Sequence, residues 1–201
     1  VAPLHGAASA AWASIALLVV PWVGLGGWPL WAARSKGNGA RADYRLVVTA
    51  RSTGIGLGAG LAALAAASGV ALVTEKVIGH PFTSAVGTVA TSTTRAAPVA
   101  VILLAVLAAF GSPVVEELAF RGLTYGSFRK LGTGPAAAIG WTALMFAAFH
   151  LEPVRLPLLF VIGVALGVAR WLADSTWAAI VAHATVNVPG AVELARLAQH
   201  H

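Results

Sequence analysis

The sequence predicts an all-α, polytopic helical membrane protein of about six transmembrane helices, with its functional site inside the bundle. Three observations predict it. Of 201 residues, 58% are apolar and only 10% charged, where a soluble domain carries roughly 25% charged residues. Mean hydropathy is +0.83. The apolar residues fall in long runs without alternation, as membrane-spanning helices require and strands do not. The net charge of +6 does not indicate nucleic acid, because the basic residues are expected in loops between spans, where they set membrane orientation. The absence of cysteine excludes disulfides and thiolate chemistry.

The first span is expected from about Ala7 to Ala33, with Trp28 and Trp31 as interfacial anchors. No basic region precedes it, and Val1 reads as a trimmed start rather than a signal peptide. A basic, glycine-rich loop follows from Arg34 to Arg45, and Arg51 extends it. The second span is expected from about Thr53 to Val73. Its Gly54, Gly56, Gly58 and Gly60 read as a face for close helix packing. A polar connection runs from Glu75 to Arg95. The third span begins near Ala97 and meets Gly111-Ser112-Pro113, which predicts a kink or restart with Ser112 as N-cap and Pro113 at the first helical position. The fourth span is expected from about Gly134 to His150, the fifth from about Leu156 to Ala173 with Gly163 and Gly167 as a second small-residue face, and the sixth from about Trp177 to Leu194. One integral-membrane domain is expected. Residues 1–95 form two helices and a polar loop, 96–194 the motif-bearing core, and 195–201 a tail in which His200 and His201 read as tag remnants.

Lysine and arginine counts set the expected orientation. The loops after the first, third and fifth spans hold Arg34, Lys36, Arg41, Arg45, Arg51, Arg129, Lys130 and Arg170, against Lys76, Arg95, Arg155 and Arg196 on the other side. The bias places the first set in the cytoplasm and both termini outside. The Ala-, Gly- and Arg-rich composition resembles that of a high-GC bacterium, so a multi-pass protein of a bacterial inner membrane is expected.

The chemistry centres on Glu116-Glu117-Leu118-Ala119-Phe120-Arg121, where two carboxylates follow an uncharged run from Ala97 to Val115. A charge at mid-bilayer costs at least ~2.5–3.5 kcal/mol, so such a cluster is a functional-site hypothesis by default. Glu117 and Arg121, Phe146 and His150, and His183 and Asn187 are each four residues apart, and residues at this spacing share a helix face. Glu117 can pair with Arg121 in the favourable order. Glu116 points about 100° away and is the freer carboxylate, suited to act as a general base on water. One histidine can share that water; the other, with the Asn187 amide, can donate to a developing oxyanion. Phe146 reads as a pocket wall. Two histidines and a carboxylate also match a catalytic zinc shell, and Glu116, His150 and His183 are the residues that would form it. The helical His-x-x-x-His signature is absent.

The ordered set Glu116-Glu117-x-x-x-Arg121, Phe146-x-x-x-His150 and His183-x-x-x-Asn187 resembles the CAAX protease and bacteriocin-processing family of intramembrane proteases, also called the Abi family. The resemblance covers about Gly111 to Gly190. It implies a glutamate-dependent endopeptidase in which Glu116 and His150 activate water, His183 and Asn187 stabilise the oxyanion, and Glu117 and Arg121 support the site. No metal is required in that mechanism, although the family has also been described as zinc-dependent. The implied partners are a membrane-associated peptide or protein substrate and the lipid bilayer. A non-catalytic membrane protein, either a bacteriocin-immunity protein or scaffold or a proton-coupled transporter using the same buried groups, is the alternative reading. For Glu116 to meet the histidines, the third helix must continue past Arg121 and hold Glu116 near mid-depth.

Overall fold

The computed structural model describes residues 2–93 and 97–199. Val1, Arg95, His200 and His201 lie outside the described residues. Every regular element among the described residues is helical: α1 (Ala2–Val19), α2 (Trp28–Lys36), α3 (Ala50–Ile78), α4 (Ala85–Thr93), α5 (Pro98–Lys130), α6 (Pro135–Phe149), α7 (Leu156–Ala173) and α8 (Thr176–Gln199). Among the described residues, five spans are long and apolar enough to cross a membrane: Ala8–Lys36, which takes in most of α1 and all of α2, then α3, α5, Pro153–Ala173 around α7, and α8. Helix α6 is apolar but has only 15 residues. The expected polytopic membrane bundle is therefore observed. The polar connection after the second span is not a simple loop, because α3 runs on through Glu75 and Lys76 to Ile78 and α4 follows.

The packing is the inverse of a soluble core. Leu17, Leu61, Leu72, Val77 and Leu131 are exposed, while the interior is dominated by alanine, including Ala63, Ala100, Ala138, Ala143, Ala169 and Ala182. Small residues let helix backbones approach closely where lipid removes the hydrophobic advantage of large ones. Helices α3, α7 and α8 form the central contact, with α6 packed on α7 and α5 packed on α8. A Cβ at Gly56 would stand 2.6 Å from the Ala178 carbonyl, and one at Gly60 would stand 2.6 Å from Thr185 Cβ. Gly54 and Gly58 meet nothing within 4 Å. The glycine-rich face predicted for the second span is thus corrected to Gly56 and Gly60 alone. Residues two apart on a helix point about 200° from each other, so four glycines at that spacing cannot share one face. Gly163 and Gly167 do pack as expected, against Ala143 and Ile139 of α6.

Helix α5 also differs from expectation. Ser112 is not an N-cap and Pro113 starts no new helix, since Gly111 and Ser112 both have right-handed helical dihedrals. The chain instead widens into a π turn over Leu107–Gly111, returns to α geometry over Ser112–Glu117, and widens again over Leu118–Thr124. The wider turn accommodates a proline that would strain an α-helix. Gly111 serves a close approach, because a Cβ there would lie 2.3 Å from the Trp22 ring. The helix continues to Lys130 as required, which places Glu116 near the middle of a 33-residue span.

The predicted orientation count also needs one correction. Arg170 is not a loop residue. It lies in the last turn of α7, buried, with Nε donating to the Arg121 carbonyl at 3.2 Å and one terminal nitrogen on Asp174 at 3.0 Å.

Gly56→Val drives a branched side chain into the Ala178 carbonyl and separates α3 from α8, whereas Gly54→Ala faces open space. Thermal unfolding in detergent is expected to show Gly56→Val destabilised by about 1–3 kcal/mol, as for overpacking generally, and Gly54→Ala at least as stable as the parent.

Candidate active site

The site is assembled from α5, α6 and α8. Glu117 and Arg121 are each fully buried, at 0% exposure, and Arg121 Nη1 donates to Glu117 Oε1 at 2.9 Å. The same carboxylate oxygen receives His183 Nδ1 at 2.9 Å. Arg121 Nη2 donates to the Gly163 carbonyl at 2.6 Å, an approach made available by the bare backbone of glycine in α7. One ion pair therefore ties α5 to both α7 and α8. Phe146, 1% exposed, packs beneath it. The Arg121 guanidinium lies 4.8 Å from the Phe146 ring centre, and the rings of Phe120, His150 and His183 meet Phe146 edge-on at 5.6, 4.7 and 5.5 Å. Phe146 is thus a pocket wall, as expected, and also the surface that orients both histidines.

Glu116 is separated from this network. Among the described residues it makes no ion pair, and its Oε2 has no hydrogen-bond partner. It faces a cavity of about 670 Å³ that is also lined by Ser112, Phe146, His150, His183 and Asn187. All four residues expected to carry the chemistry therefore share one chamber, and Glu117 and Arg121 lie behind it.

The hydrogen bonds of the histidines constrain which ring nitrogen is available. His150 Nδ1 is 2.8 Å from the Phe146 carbonyl. A carbonyl can only accept, so Nδ1 must carry the proton and a neutral ring presents the lone pair of Nε2. His183 Nδ1 faces a carboxylate oxygen already engaged by Arg121, so it too is the donor. Nε2 of His183 can therefore donate only when the ring carries both protons. Asn187 Nδ2 donates to the Ala108 carbonyl at 2.9 Å. The reason lies in α5. In the π turn the Ser112 N–H goes to the Leu107 carbonyl. The next donor in that register would be residue 113, a proline without an N–H. Asn187 supplies the missing donor, and this also explains the unpartnered hydroxyl of Ser112. Helical serines elsewhere, such as Ser14, Ser68 and Ser127, bond the carbonyl four residues back. For Ser112 that carbonyl is Ala108, which Asn187 engages.

Sequence reasoning missed three contributors. Trp22 and Leu25, between α1 and α2, and Leu64 and Ala67 of α3 wall the cavity, although the first two spans carry no motif. The Gly163 carbonyl and the Arg170 side chain hold Arg121 from the side of α7. Among the described residues, no three His, Asp or Glu side chains are grouped closely enough to hold a metal ion; Glu116, His150 and His183 share the cavity without forming such a cluster.

Residues 98–189 match the family model described as Rce1-like, type II CAAX prenyl endopeptidase Rce1-like. The match takes in all three motifs and bears out the resemblance to the CAAX protease family over the motif-bearing part of the chain, just under half of its length. No curated protein and no solved structure matches the chain.

Arg121→Met would leave the Glu117 charge buried and the Gly163 carbonyl without its donor. Breaking a buried pair on one side costs about 3–5 kcal/mol. Thermal unfolding is expected to register a loss of that size, with the double variant Glu117→Gln/Arg121→Met recovering part of it. Asn187→Ala orphans the Ala108 carbonyl and is expected to cost about 1–3 kcal/mol in the same measurement.

Proposed function

We propose that the protein is an intramembrane endopeptidase in which Glu116 activates the water that attacks a peptide bond. The observation that carries this reading is the division of labour between adjacent carboxylates. Glu117 is bound by Arg121 and His183, while Glu116 keeps an unpartnered oxygen and faces the cavity shared with His150, His183 and Asn187. A general base needs a free lone pair within reach of its water; Glu117 also keeps an unpartnered Oε2, but it lies behind the cavity, and of the two carboxylates only Glu116 lines it. The family match supports a membrane protease at the level of reaction class.

The steps balance without a covalent intermediate. Glu116 takes one proton of the water as the water oxygen bonds to the carbonyl carbon, and the carbonyl electron pair moves onto its oxygen. His150 Nε2, with its lone pair exposed, accepts a hydrogen bond from the second water proton and orients the attack. His183, its Nδ1–H held by Glu117, donates from Nε2 to the oxyanion when its ring carries both protons, and the second Nδ2 hydrogen of Asn187 supports it. The C–N bond then breaks as Glu116 returns its proton to the leaving nitrogen, releasing a carboxylic acid and an amine, between which the remaining water proton passes to leave a carboxylate and an ammonium group. The substrate class is a membrane-associated peptide, admitted along the largely apolar walls built by Leu64, Ala67, Leu158 and Leu159.

The test is cleavage of a transmembrane peptide library by purified protein, with metal content measured in parallel. Glu116→Ala is expected to abolish turnover while leaving thermal stability intact, because Glu116 makes no ion pair. His183→Ala is expected to lower kcat by about 10²–10³, the usual cost of an oxyanion donor. Turnover that survives Glu116→Ala overturns the mechanism. Activity lost to a chelator and restored by zinc replaces it with a metal-dependent one.

A further inference from the structure

A second cavity, of about 610 Å³, opens at the end of α5 farthest from Pro98, between the ends of α5 and α7 and the segment after α2. It shares no residue with the chamber around Glu116. Its floor is the buried guanidinium of Arg170 over the buried ring of Tyr125, 5.2 Å from the ring centre. Arg45, Arg129 and Lys130 line its walls, and Trp171 its edge.

The charges in this pocket do not cancel. Its four cations face two carboxylates, Asp43 and Asp174. Asp174 sits between Arg45 and Arg170 and bonds both. Asp43 is held by the backbone N–H of Asn38 at 2.9 Å. Arg129 and Lys130 are exposed and have no carboxylate partner among the described residues. Arg129 Nη1 donates to the Thr133 carbonyl, and the pocket retains two uncompensated positive charges, with the Lys130 ammonium and the other Arg129 donors, for a ligand. The flanking surface is apolar: Trp171 is 51% exposed, Leu172 50% and Leu131 81%. Trp28 and Trp31, with Lys36 stacked 5.4 Å over Trp31, form a second aromatic cluster in the first turn of α2, the pattern of a membrane–water interface. A cationic bowl bordered by lipid-facing side chains suits a ligand that is anionic at one end and apolar at the other.

We propose that the juxtaposition of Arg45, Arg129, Lys130 and Arg170 in this pocket binds the phosphate of an anionic phospholipid headgroup, whose acyl chains lie over Leu131, Trp171 and Leu172. The inference is independent of the protease reading. It also connects the bilayer to the site, because Arg170 bonds the carbonyl of Arg121, the residue that holds Glu117.

Native mass spectrometry of the purified full chain, titrated with phosphatidylglycerol or phosphatidylcholine, tests it. Phosphatidylglycerol is expected to remain bound at activation energies that strip phosphatidylcholine. The double variant Arg129→Gln/Lys130→Gln is expected to weaken that binding on the order of tenfold, with unchanged thermal unfolding in neutral lipid. Arg34→Gln/Arg41→Gln, which removes two charges from the end of α2 and the segment after it, outside the pocket, is expected to leave it unchanged. Equal weakening by both double variants, or no preference over phosphatidylcholine, overturns the site. Displacement of the lipid by inorganic phosphate at equal concentration shows a simple anion site and overturns the lipid assignment.

Discussion

The structure depends on one buried ion pair. Arg121 and Glu117 are enclosed completely, in a bundle whose other buried groups are mostly alanine and glycine. Removing two charges from water is expensive, and their attraction offsets that cost only when the remaining donors and acceptors are also engaged. Here they are engaged in part: Glu117 takes His183 from α8 and Arg121 gives a second bond to the Gly163 carbonyl of α7, while Glu117 Oε2 and Arg121 Nε keep no partner among the described residues. The pair therefore acts as a joint among three helices. It fixes the rotation of α5 about its axis, and with it the direction in which Glu116 faces.

The remaining site geometry follows from that joint. Phe146 fills the space under the guanidinium and offers its edges to two imidazole rings. Each imidazole has its Nδ1 committed, His150 to a carbonyl and His183 to the carboxylate. Rotation of either ring would break that bond. Both Nε2 atoms are thereby presented without any loop having to close. A rigid arrangement of this kind supplies orientation before the substrate arrives.

Much of this was legible in the sequence, for a physical reason. Charged and hydrogen-bonding side chains are so costly in a bilayer that each one in a span is informative. The four-residue spacings of Glu117 and Arg121 and of His183 and Asn187 place each pair on one helix face from sequence alone. The features that escaped are those whose meaning depends on a neighbour. By sequence Arg170 counts with the loop after the fifth span, yet its partners are a distant carbonyl and Asp174. Gly54 and Gly58 looked like Gly56 and Gly60, since composition does not say which face meets α8. Trp22 and Leu64 carry no chemistry, and only the fold makes them walls of the chamber. Pro113 was expected to interrupt α5. A widened turn absorbs it, which no local propensity favours and which Asn187 completes from another helix.

The two π turns of α5 have a further consequence. Each spends about one residue more per turn than an α-helix, so the span is divided into three azimuthal sectors. The first, before Leu107, presents Val101 and Leu104 to the interior. The middle sector, Ser112–Glu117, aims the carboxylates. The last carries Tyr125 toward the basic end. A uniform helix would tie the bearings of these three sets together, so that repacking one end would swing the carboxylates off target. The wide turns act as phase shifters: either end of α5 can be refitted to its lipid or helical surroundings while Glu116 keeps its heading.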